Sequence, residues 1–321
     1  MDSGRRVRHL LLASGLAAAL AMSGCTTFER VAHLYSPEAP TAQRFAFKDG
    51  GSSVFYSFVV GSSPQPSTAV FFYGGSGCTS WKAVMPGYVE GLGVDARVWV
   101  LNKRFVSDRA TGLWNCGQAF DAANHPSQWR ADYAEFITEQ LSRMSPRPSR
   151  VLLVGVSEGA IPAVQVAARL SAVTHLAIIG SGGHTLRQAL QVLRDKKQIS
   201  FDVDEAWPAM AAKPQSLSHQ VWGHPYRWWS QMLDLDLVPD YLSLRIPMAV
   251  AMGEQDSSVP VESLHALQSR FREASNTCLK ATVYPGADHR LSKGGVSYRR
   301  EFLAAVGKGL HTPACQVQPV R

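Results

Sequence analysis

The sequence predicts an α/β fold, a mainly parallel sheet with helices on both faces. Three observations lead there. Short apolar or alternating runs recur, at SVFYSFVV (53–60), AVFFYG (69–74), RVWVLN (97–102), VLLVG (151–155), HLAIIG (175–180), MAVAMG (248–253) and LKATVY (279–284). Helical patterns lie between several of them: Trp129, Tyr133, Phe136, Ile137, Leu141 and Met144 step by three and four, as do Val261, Leu264, Leu267 and Phe271, and Phe302, Val306 and Leu310. Finally, Val151-Leu152-Leu153-Val154 shows no polar alternation, which suits a strand covered on both faces. Strands alternating with amphipathic helices argue for a parallel sheet.

The start of the chain has a different character. Arg5, Arg6 and Arg8 precede an apolar run from Leu10 to Met22, too short to span a bilayer as a standard helix but suited to a signal peptide over residues 1–24. The run ends in Ala21-Met22-Ser23-Gly24-Cys25, which resembles a bacterial lipobox. The resemblance implies cleavage before Cys25, lipidation of its thiol and a periplasm-facing protein of the bacterial envelope. Thr26, where aspartate often marks inner-membrane retention, tilts the expectation to the outer membrane. Residues 25–44, with Ser36-Pro37 and Ala39-Pro40, read as a tether to the membrane, and a domain is expected over 45–321.

Composition bounds the function. The chain of 321 residues, 45% hydrophobic and 18% charged, can bury a sizeable globular core. Losing three arginines and one aspartate with the leader would lower the formal charge from +7 to +5. No block concentrates that charge and no nucleic-acid-binding signature appears, so no nucleic-acid partner is expected. Zinc, phosphate-loop and dinucleotide spacings are also missing, so neither metal nor cofactor is inferred.

The run at 151–156 ends in Gly155-Val156-Ser157-Glu158-Gly159, and the alanine-rich AIPAVQVAARL that follows reads as a helix. A sharp strand-to-helix turn strains its apex, and glycines two before and two after let chains pass closely. Serine projecting from such a turn suits a nucleophile. Farther on, residues 181–245 separate two strands by more than a crossover needs. They hold the helical LRQALQVLRDK, four prolines and Trp207, Trp222, Trp228 and Trp229. A linker would be poor in tryptophan, so a folded helical cap inserted before the penultimate strand is expected, lying over the strand ends or forming a layer remote from the site. Trp228 and Trp229 could line a pocket there, although packing within the cap is the commoner role of large aromatics.

These elements resemble the α/β-hydrolase family over nearly the whole mature chain. Gly-x-Ser-x-Gly matches its nucleophile elbow, and the order serine, acid, histidine is its chain order. The resemblance implies Ser157 as nucleophile, His289 as base and Asp256 as the acid that orients the imidazole. His289 stands in Tyr284-Pro285-Gly286-Ala287-Asp288-His289, directly after the last expected strand. Asp256 stands in Met252-Gly253-Glu254-Gln255-Asp256-Ser257-Ser258-Val259-Pro260, similar to the family's Gly-x-x-Asp acid loop with its Val-Pro. Glu254 and Asp288 are the alternative acids. Two backbone N–H groups would receive the oxyanion: that of Glu158, and that of Gly75 or Ser76 in the turn Tyr73-Gly74-Gly75-Ser76-Gly77.

Apart from Cys25 the chain has Cys78, Cys116, Cys278 and Cys315, an even number that suggests two disulfides in an exported protein. Three connectivities exist. The order of the expected strands favours Cys78–Cys116, both after strands above one sheet edge, and Cys278–Cys315, joining the last strand to the helix returning beside it. The implied activity is a serine hydrolase cleaving carboxylic acyl esters, with a small-molecule or lipid-like acyl substrate. A peptidase or amidase similar to prolyl-oligopeptidase-like members is the alternative. It would need a carboxylate to grip an amino end, for which Asp202, Asp204, Glu205, Asp234 and Asp236 are candidates. A non-catalytic envelope binding protein on the same fold is a third reading.

Overall fold

The run Val151–Val154 lies in the middle of an eight-stranded sheet. The computed structural model describes residues 39–112, 116–311 and 315. The expected signal peptide, the lipidation site Cys25 and the tether as far as residue 38 lie outside the described residues. The strands are β1 (Gln43–Ala46), β2 (Ser52–Val60), β3 (Thr68–Tyr73), β4 (Ala96–Leu101), β5 (Arg150–Val156) and β6 (His175–Ile179). A two-stranded ribbon, β7 (Gln220–Val221) and β8 (His224–Pro225), precedes β9 (Met248–Gly253) and β10 (Leu279–Tyr284). A small hairpin, β11 (Ser292–Lys293) and β12 (Val296–Ser297), follows them. The sheet order is β1-β2-β4-β3-β5-β6-β9-β10. From β4 to β10 every pairing is parallel; β2 and β1 join antiparallel at one edge. The carboxyl ends of the parallel strands therefore share one edge of the sheet.

Side chains of each strand alternate between two cores. Phe71, Leu153, Ile178 and Val250 face one, where α3 (Pro126–Ser142), α4 (Ala160–Ala167) and α9 (Glu262–Glu273) pack. Val70, Leu152, Val154 and Ala177 face the other, covered by residues of α1 (Pro86–Val89) and α10 (Arg299–Gly309). A short α2 (Gln118–Ala123) precedes α3. The seven expected strands are all present, each within one or two residues of its expected ends. β1 is additional, and it starts two residues inside the expected tether. It inserts one buried side chain, Phe45, so its sequence carries almost no periodic signal.

The insertion folds as α5 (Leu186–Asp195), α6 (Val203–Ala212), the β7–β8 ribbon, α7 (Tyr226–Met232) and α8 (Val238–Ser243). Thr185 and Gln188 form a reciprocal capping box at the start of α5. Arg187 binds Asp234 at 2.6 Å, pairs with Asp204 and lies over the Trp207 ring, so one guanidinium ties three segments of the cap together. Trp229 packs edge-on to both Trp228 and Trp222 and donates to the Val221 carbonyl. Both expected disulfides form, Cys78–Cys116 with Cα atoms 5.7 Å apart and Cys278–Cys315 with 5.0 Å.

The cap meets the main body at His125, where α3 begins. Arg227 of α7 lies 3.2 Å from His125 Nε2, while His125 Nδ1 caps α3, 3.3 Å from the Gln128 backbone N–H, and is 2.9 Å from Ser127 Oγ. Burial, with the Arg227 cation adding to it, pushes this imidazole down to about 4. The unfolded chain takes up the proton near the ordinary value of about 6.5. This group's contribution to stability is therefore present above pH 6.5 and is lost as pH falls through 4. We expect the melting temperature to fall more steeply between pH 6.5 and 4 in the wild type than in His125→Asn, measured by thermal unfolding across that range.

Candidate active site

Ser157 occupies the turn between β5 and α4 with φ of +55°, a left-handed conformation costing about 1–3 kcal/mol outside glycine. The flanking glycines make the turn possible. A methyl group on Gly159 would overlap the carbonyl oxygens of Tyr73 and Gly74 at the end of β3, and one on Gly155 would lie 2.7 Å from the Gly159 carbonyl oxygen. The turn is thus wedged between two parallel strands, with α4 leading away from it.

Asp256 and His289 lie on the loops leaving β9 and β10. Asp256 is 3% exposed, and its Oδ1 accepts from the backbone N–H groups of Ser258 and Val259 at 2.8 and 2.9 Å. Its Oδ2 is 2.7 Å from His289 Nδ1. With a carboxylate accepting from Nδ1–H, Nε2 of the imidazole stays free to accept a proton. The alternative acids are engaged elsewhere. Glu254 is exposed and accepts from the Gly286 N–H at 2.8 Å; Asp288 is exposed and closes the turn by accepting from Arg290 and Ser292. The His289 ring packs over Gly180 at the end of β6, where φ is +69° and a β-carbon would sit 2.8 Å from Cε1. Gly180 and Ser157 line the same cavity, so the pair Asp256–His289 is brought to the edge of the space that holds the serine.

The turn after β3 forms the opposite wall. A β-carbon on Gly75 would sit 3.4 Å from Ser157 Cβ, and Ser76 lines the cavity. The Cys78–Cys116 bond and the Ser80 N–H to Ala110 carbonyl bond at 2.7 Å fasten the segment beyond it.

The cavity measures about 190 Å³. Apolar side chains come from α4 (Ile161) and largely from the insertion (Leu186, Ala189, Met232, Leu235, Leu237), which therefore covers the strand ends. Burial holds His184, at its polar side, below the ordinary imidazole range. Trp228 belongs to this wall as well as to the cap interior, unlike its neighbour Trp229, which does not line the cavity. None of the five acidic cap residues is among the lining. Asp202 caps α6 and pairs with Arg194, Asp204 and Asp234 are held by Arg187, Asp236 caps α8, and Glu205 is exposed.

The unforeseen feature is Glu158, whose side chain turns inward at 7% exposure. Its carboxylate pairs with Lys103, from the loop after β4, and accepts from the Trp228 indole N–H at 2.9 Å. Lys103 also lies over the Trp129 ring, 4.5 Å from its centre. No short motif joins positions 103, 158 and 228; a glutamate next to the expected nucleophile was the one available hint.

No family model matches the sequence, and no curated protein matches it. Solved structures do. An esterase of Pyrococcus furiosus, Pf2001, aligns over 86% of this chain and 91% of its own with TM-score 0.56 and 12% identity. Est1E from Butyrivibrio proteoclasticus aligns over 83% and 96% with TM-score 0.55 and 13% identity. Proline iminopeptidase of Mycobacterium smegmatis aligns over 84% and 98% with TM-score 0.54 and 16% identity. The chain has the α/β-hydrolase fold. Because Gly159 has no room for a β-carbon, Gly159→Ala should lower the melting temperature, read by differential scanning fluorimetry.

Proposed function

We propose that this chain is a serine hydrolase that cleaves short-chain carboxylic esters through an acyl-enzyme. The observation that carries the reading is one arrangement: a serine at φ +55° between two close-packed glycines lines a cavity with Gly180, and against Gly180 packs the ring of His289, held by Asp256 at 2.7 Å. In this reading Ser157 Oγ attacks the ester carbonyl while His289 Nε2 takes its proton. Asp256 keeps Nδ1 protonated and stabilises the imidazolium that forms. The N–H groups of Glu158 and of the Gly75–Ser76 turn receive the oxyanion. Collapse expels the alcohol, protonated by His289, and water then releases the acid by the same route in reverse.

The cavity argues for the acyl side of the bond. A dry cavity of roughly 150 Å³ admits a benzene-sized group, so about 190 Å³ lined by leucines, Ile161 and Met232 suits an acyl chain of about four to six carbons. An aminopeptidase needs a free carboxylate near the serine, and Glu158, which lines the cavity, is already committed to Lys103 and Trp228. The proposal includes attachment through lipidated Cys25, which would hold the domain at the envelope membrane by its tether. An acylated Cys25 at the mature N-terminus, read by mass spectrometry, checks that part.

A fluorophosphonate should label the wild type and not Ser157→Ala. Asp256→Asn should lower kcat by about 10³–10⁴-fold by holding the wrong tautomer. With p-nitrophenyl esters of graded length, kcat/KM should peak near four to six carbons and fall beyond. An unlabelled wild type, or faster cleavage of aminoacyl amides than of esters, overturns the proposal.

A further inference from the structure

The residue after Ser157 has two demands on it. In the reading above its backbone N–H receives the oxyanion, yet its own side chain carries a negative charge beside that site. Left ionised and unpaired, this carboxylate would repel the charge that develops on the carbonyl oxygen. The surroundings remove the conflict. Lys103 binds one oxygen and the Trp228 indole N–H binds the other at 2.9 Å. Each partner is itself held: Lys103 over Trp129, and Trp228 by His224 stacked at 3.9 Å and 10°. Three elements meet at this carboxylate: the strand-to-helix turn, the loop after β4 and cap helix α7. Such a buried pair is a weak source of stability, because desolvation offsets most of the attraction, so its value lies in geometry.

We infer that Lys103 and Trp228 are positioning residues that act through Glu158, fixing its N–H toward the reacting carbonyl and cancelling its carboxylate charge. The inference rests on the serine-hydrolase reading. It gives the cap a second role besides shaping the cavity, since the tryptophan N–H reaches the oxyanion donor only when α7 is seated.

The other titratable groups facing Glu158 are Tyr133 of α3 and His224 of β8. Burial raises the Tyr133 hydroxyl far above its ordinary range and lowers the His224 imidazole. Both are neutral through the alkaline range, which leaves Lys103 as the cation that balances Glu158 among these groups. Removing it leaves a buried carboxylate that can ionise only at raised pH.

Ester hydrolysis is followed against pH for wild type, Lys103→Met and Lys103→Met/Glu158→Gln, with phosphonate labelling to count active sites. The wild-type profile should reach a plateau on its alkaline side. Lys103→Met should add a descending alkaline limb, with kcat down by about tenfold or more there. The added Glu158→Gln should remove that limb and recover several-fold of the rate. A Lys103→Met profile of unchanged shape, or a double variant no faster than the single, overturns the inference while labelled, active wild type leaves the hydrolase reading intact. Wild type that neither labels nor turns over overturns that reading itself. Should Lys103→Met fail to fold, Trp228→Phe keeps an aromatic ring and loses the N–H. It should lower kcat with little change in KM, and an unchanged kcat overturns the inference.

Discussion

The site is organised by one close approach, the backbone at Gly159 lying against the carbonyls of Tyr73 and Gly74. β3 and β5 are parallel neighbours, and the chain leaving β5 must turn up beside the chain leaving β3 with no space for side chains between them. That contact sets the apex at Ser157 and brings the Gly75–Ser76 turn against it. The parallel sheet supplies the remaining parts, because every strand from β4 to β10 points its carboxyl end to the same edge. Ser157 and Gly180 follow two of these strands and line one cavity, and the Asp256–His289 pair from the next two packs against Gly180. Rigid strand ends, and not long loops, therefore fix the relative positions of these groups.

What could be read in the sequence was what local pattern determines. Seven strands announced themselves as apolar or alternating runs of five to eight residues, and the strand-to-helix turn by glycines at fixed offsets. β1 escaped because a single inward phenylalanine makes no period. For the acid, the resemblance of its loop pointed to Asp256, with Glu254 and Asp288 as alternatives. Hydrogen bonds separate them: Glu254 and Asp288 are occupied with backbone N–H groups of their own loops, whereas one oxygen of Asp256 is turned to the imidazole. The Lys103–Glu158–Trp228 group was invisible, since its members lie 55 and 70 residues apart and each alone looks ordinary. Lysine after a strand is commonly solvated, and a cap tryptophan commonly packs. Trp228 does both jobs, filling the cap and donating to a buried carboxylate.

Charge in the insertion follows a consistent logic. Its aspartates are spent on helix starts and on Arg187 and Arg194, which hold the cap segments to one another. Little charge is thereby left for the cavity wall, where leucines, Met232 and Ile161 dominate. An apolar wall over a polar floor suits a substrate with a carbonyl at one end and hydrocarbon at the other. The cap is then both a lid of hydrocarbon and, through a single indole, a strut on the polar floor.

The bond between Cys78 and Cys116 has a consequence for how such a protein matures. It closes a stretch of chain that begins just after the Gly75–Ser76 turn and contains both α1 and β4, an internal strand of the sheet. A crosslink between positions 38 residues apart removes conformations chiefly from the unfolded chain. The crosslink therefore acts before the sheet has closed, holding the start of this stretch, beside the turn that faces Ser157, to its end.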